Sequence, residues 1–81
     1  MKDKLVKLDP DLLFADGYDD CIIDLSFRDE TPVVLYSASA VKNKIADNMP
    51  YPDAEDYFYF NVAGAYVGER TPLFFEDDIN E

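Results

Sequence analysis

The stretch 53-DAEDYFYFNVAGAYVGERTP-72 decides how this chain folds. Its first turn is acidic, its middle is aromatic, and it narrows through Ala63-Gly64-Ala65 to Gly68. Asp53, Glu55 and Asp56 suit the start of a helix, where free N–H groups favour negative charge. Pro52 suits the first helical position, because the N–H it lacks would have no partner there. From Tyr57 to Val67 apolar side chains cover nearly the whole circumference, with Asn61 the clear polar exception. A helix apolar on all sides belongs inside a protein. The pattern therefore predicts a central helix with everything else packed around it. Gly64 would allow close packing and Gly68 would end the helix. Asn61 would hold a partly buried amide, bonded to the backbone of the following GERTP turn. Arg70 in that turn is either a recognition residue at a loop tip or a partner for one of the surplus carboxylates.

Upstream of this stretch, residues 1–8 read as a flexible, charged lead-in. Asp9-Pro10-Asp11 is a plausible helix start, giving one short turn through Leu12, Leu13 and Phe14 before Asp16-Gly17 ends it. Cys21, Ile23, Leu25 and Phe27 alternate with polar residues, which marks a strand buried on one side. Asp29-Glu30-Thr31 connects it to a second β-rich run, Pro32 to Tyr36, and the pair reads as an antiparallel hairpin. Ser37 or Ser39 then caps a helix whose apolar stripe is Val41, Ile45 and Met49, leaving Lys42, Lys44 and Asp47 toward water. Met49-Pro50-Tyr51-Pro52 breaks that helix. Downstream of the central helix, Pro72 to Phe75 is a short strand, and residues 76–81 form an acidic tail. The order is short α-β-β-α-α-β. It predicts a small α+β single domain over residues 1–81, with an antiparallel three-stranded sheet and two helices on one face.

Six tyrosines and six phenylalanines among 81 residues argue for a packed core. No apolar run approaches the roughly 20 residues that span a bilayer, and the N-terminus lacks a signal peptide's apolar stretch. The single cysteine, Cys21, excludes an internal disulfide and reads as a buried thiol suited to a reducing cytoplasm. The formal net charge of −11, without histidine, argues against contact with nucleic acid phosphate, which needs clustered Lys and Arg. It favours encounter with basic protein surfaces. Solubility alone is the competing explanation of the same charge.

Little in the chain suggests a reaction. His is absent, the cysteine reads as buried, and paired catalytic carboxylates need a cleft that one small sheet leaves little room for. Zinc lacks its ligands, and the DGYDD cluster lacks the alternate carboxylates, glycine and distant glutamate of a calcium loop. No phosphate-binding glycine loop is present. The expectation is a protein that is not an enzyme, with no cofactor and no metal.

Over AEDYFYFNVAGAYVGERTPLFF the chain resembles a group of small, mostly uncharacterised accessory proteins of tailed bacteriophages. These carry an EYFxFNxxGAYxGExTP-like pattern near the C-terminus. The preceding YDDCIIDLSFRDETPVVLYSASAVKNKIA is similar to the same group's hairpin and following helix, so the resemblance covers residues 18–75. Tyr51-Pro52 departs from the usual Thr or Ser cap, and Asp56 stands where Glu is expected. The resemblance implies a protein acting in the host cytoplasm that binds something of the host; it implies no activity.

The sequence thus predicts a non-enzymatic phage accessory protein that binds and modulates a host protein with a basic surface. Inhibition by DNA mimicry is the sharper form of that reading. Direct binding to nucleic acid or membrane is not expected. The candidate partner-binding residues are Asp53, Glu55, Asp56, Glu69, Arg70, Glu76, Asp77 and Asp78. The alternative is a small structural or assembly homo-oligomer, a homodimer at its simplest, that uses exposed aromatic surface.

Overall fold

Helix α1, Lys2–Leu8, opens the chain in a computed structural model that describes residues 2–65 and 68–76. Asp3 in its first turn and Lys7 in its last complement the helix dipole. Leu5 is buried in the core, so the segment expected as a lead-in is part of the fold. The short helix expected over residues 10–14 does not form. Pro10 stops α1 instead, and Asp9 Oδ1 accepts the Asp11 N–H at 3.0 Å, closing a turn that delivers Leu12 to the core.

Residues 13–18 then cross toward the sheet, turning at Gly17 with φ +91°. A single 3₁₀ turn, Asp19–Cys21, leads into β1, Ile22–Arg28. β1 pairs antiparallel with β2, Thr31–Ser37, through a two-residue turn in which Asp29 and Glu30 both have positive φ. That left-handed pair matches the strand twist, although glycine and asparagine accept it more readily. The register shifts between Ile22 and Asp24, so Ile23 is an extra residue. This bulge corrects the alternation read from sequence: Cys21, Ile22 and Leu25 pack inward, whereas Ile23 and Phe27 are exposed.

Strand β3, Leu73–Phe75, joins the other edge of β2 and runs parallel to it. The fold is α+β with a three-stranded sheet in the order β1-β2-β3. The antiparallel expectation holds for the hairpin and fails for β3. Between β2 and β3 the chain makes a crossover through α2, Ala38–Ile45, and α3, Tyr51–Tyr57, and such a crossover is what parallel pairing requires. Ser37 caps α2 by accepting the Ala40 N–H at 3.1 Å, and Pro52 stands in the first turn of α3.

Tyr36 sits at the centre. Its ring is fully buried and stacks on Phe74 at 5.4 Å, and its hydroxyl accepts the Ala15 N–H at 2.6 Å. Burial pushes this phenol above its ordinary pKa, which keeps it neutral. Val34, Val41, Ile45, Ala54 and Phe58 complete the core around it.

The predicted central helix is where sequence and structure differ most. α3 lies at the surface and buries only Ala54; Phe58, four residues further on and just past its end, is the next side chain in the core. It passes into one π-helical segment, Phe58–Val62, in which the Ala63 N–H reaches the Phe58 carbonyl at 2.7 Å. The wider turn shifts the phase of every later side chain, so Tyr59, Phe60 and Asn61 face solvent. Tyr66 and Val67 lie outside the described residues. Gly68, with φ +111°, does not end this helix; it opens a turn in which the Thr71 hydroxyl donates to its carbonyl at 2.6 Å.

Gly64 is exposed, so its role is not close approach to the sheet. A Cβ there would stand 2.6 Å from the Tyr59 carbonyl oxygen. Gly64→Ala must therefore displace the backbone of the π turn, and overpacking of this kind costs about 1–3 kcal/mol. A melting temperature equal to that of the unmodified protein would show that the turn does not close against Gly64.

Candidate functional site

The side chains that could carry function lie along α3, the π turn and the parts that brace them. Bracing comes from Lys42. It lies on α2 one residue after Val41, and only 1% of it is exposed, against the expectation that it faces water. Its ammonium Nζ lies 3.0 Å from the Tyr59 hydroxyl, 3.5 Å from Glu76 Oε1 and 3.6 Å from Glu55 Oε2. The Tyr59 hydroxyl in turn donates to the Glu76 carboxylate, 2.9 and 3.1 Å from its two oxygens. The phenol thus accepts from the ammonium and donates to the carboxylate. Two rings complete the cage, with Nζ 5.4 Å from the Phe58 centroid and 4.8 Å from that of Tyr59.

Burying a charge is costly unless it is paired and hydrogen-bonded, and this cage supplies both conditions. Because the partners come from α3, the π turn and the end of β3, the clamp ties three elements to α2. It also fixes the π turn with Phe58 inward, leaving Tyr57 and Phe60 outward, the latter 80% exposed.

Among the eight residues named from sequence, Asp53 and Asp56 are exposed on α3. Glu55 turns toward Lys42, and Glu76 belongs to the clamp rather than to a free tail. Glu69 is exposed, and its carbonyl accepts from Arg28 at 3.5 Å; the same guanidinium donates to the Thr71 carbonyl at 2.6 Å. Arg70 pairs with Asp9 at 2.7 Å, and that hydrogen bond holds the Asp9 carboxyl below the usual carboxylate range. Asp77 and Asp78, with the rest of the expected tail, lie outside the described residues. The six that are described therefore do not form one site. Asn61, expected to bond the turn at residues 68–72, is instead exposed beside a cleft.

A second charged group surrounds Cys21, whose buried thiol lies 3.7 Å from Asp20 Oδ1. Burial pushes the thiol pKa up and the Asp20 carboxylate adds to the effect. Lys44 donates to both oxygens of Asp20, at 3.0 and 3.2 Å, lowering the carboxyl pKa and raising its own. A thiol held protonated is a poor nucleophile. Among the described residues no group of three His, Cys, Asp or Glu side chains is placed to hold a metal ion. No helix among them is long and apolar enough to cross a membrane.

Compared with protein-family models, curated proteins and solved structures, the chain matches none of them significantly.

The clamp gives a direct expectation. Lys42→Ala should cost about 2 kcal/mol or more, as truncation of a packed core side chain does. Lys42→Met keeps most of the volume and should cost less than about 1.5 kcal/mol. Urea titration of both variants checks this. A Lys42→Ala protein within about 0.5 kcal/mol of the parent would mean that the side chain is solvated.

Proposed function

We propose that this chain is a non-enzymatic accessory protein, of the tailed-phage kind it resembles, that binds and modulates a host protein through a basic surface on that partner. The observation that carries the reading is charge: −11 overall on 81 residues, with Asp16, Asp53 and Asp56 among the exposed carboxylates. Such a field speeds encounter with a cationic patch and repels nucleic acid. Exposed Tyr57 and Phe60 adjoin the acidic turn of α3, and aromatic residues are enriched at the energetic centres of interfaces. Occupation of a nucleic-acid-binding groove by these carboxylates is the inhibitory form of the same reading.

Exposed Phe27, Phe60 and Phe75 favour a second reading, a structural homo-oligomer that buries them against copies of the chain. The charge opposes it, because copies would bring like fields together.

Capture of partners from host lysate by the tagged protein, eluted with rising salt, separates the two. The first reading expects a basic protein that elutes as screening lengths fall below about 10 Å, and that is lost on the double change Asp53→Lys, Asp56→Lys. Capture that ignores both salt and charge reversal contradicts it, and self-association alone supports the second.

A further inference from the structure

Residues 13–18, the α3–π segment and the start of β3 enclose a cleft of about 340 Å³. Leu13, Phe14, Val62 and Phe74 give its walls their apolar part, and polar surface, with Asp16 and Asn61 contributing, makes up nearly half of the lining. A second cleft of about 350 Å³ is lined in part by the same Asp16, Tyr18 and Tyr57, so the two adjoin. Among the described residues, Lys44 is the one cation lining either cleft, and its ammonium is engaged by Asp20 at 3.0 Å. A ligand cation would therefore meet Asp16 and the side chains of Tyr18 and Tyr57, within a molecule of net charge −11.

We infer that this double cleft is the docking site for the partner protein, and that it takes a basic segment carrying an apolar anchor. The anchor, a leucine or phenylalanine side chain, enters the first cleft between Leu13, Val62 and Phe74, its apolar part. Flanking arginines lie against Asp16 and stack on Tyr18 and Tyr57. The inference rests on the basic-partner reading above and adds to it a location and a required anchor. Charge alone would bind any cationic surface, whereas the cleft discriminates by what is inserted.

Three synthetic peptides test it on the full chain: Arg-Arg-Leu-Phe-Arg-Arg, Arg-Arg-Gly-Gly-Arg-Arg and Glu-Glu-Leu-Phe-Glu-Glu. The first should bind roughly ten- to a hundredfold more tightly than the second, the gain from burying one large apolar side chain. Amide shift changes in the unmodified protein should centre on residues 13–18, Tyr57, Asn61 and Val62. Ala65→Trp, which adds bulk at an exposed lining position, should weaken the first peptide more than tenfold. Leu8→Ala, at an exposed position outside both clefts, should leave it within twofold. Equal binding of both basic peptides, with shifts elsewhere, overturns the cleft as the site and leaves the acidic-surface reading standing. Equally tight binding of the acidic peptide overturns the basic-partner reading itself. Concentration-dependent self-association abolished by Ala65→Trp would make a second copy the occupant and overturns the inference.

Discussion

One buried ammonium constrains much of this molecule. Lys42 reaches from α2 into a cage of two carboxylates and the rings of Phe58 and Tyr59, whose hydroxyl it also meets. These partners come from α3, the π turn and the end of β3. Without those partners the charge could not remain in the interior. With them, α2, the π turn and the end of β3 are locked in one arrangement. The lock has a surface consequence, because a π turn held at Phe58 and Tyr59 leaves Tyr57 and Phe60 with no place in the core.

The hairpin and α2 were legible in the sequence because their signals are local: alternation over residues 21–28, a serine cap, a prolyl break. The errors arose where one residue changes a phase. The bulge at Ile23 turned Ile23 outward and brought Ile22 in, and the π turn put Tyr59, Phe60 and Asn61 outside while Val62 and Ala63 return against the core. Neither insertion has a strong signature in one sequence. The parallel direction of β3 depends on how two helices return the chain, which strand propensity does not record. Lys42 could have been found. Positions 38, 41, 42 and 45 are spaced as a buried helical face, and all four are buried, yet lysine at one of them was read by its charge rather than by its place.

The candidate site shows the same division. Asp53 and Asp56 stand exposed on a helix that the sequence predicted, and Arg70 did pair with a carboxylate. The sequence could not tell that Glu55 and Glu76 are spent on Lys42, or that residues 13–18 would come to face Tyr57 across a cleft, because those pairings join segments far apart in the chain. On the proposed reading, recognition would draw on two components: exposed carboxylates for range, and the partly apolar clefts for selectivity. The clamp links them by holding the helix that carries one wall of the clefts.

The most direct measurement of this account is the side-chain ammonium spectrum of the five lysines, recorded on nitrogen-15-labelled protein near neutral pH. Lys42 should give a slowly exchanging ammonium signal with through-space contacts to the rings of Phe58 and Tyr59, while Lys2, Lys4 and Lys7 exchange too fast to persist. Five equally fast-exchanging lysines, with no ammonium contact to either ring, would contradict it.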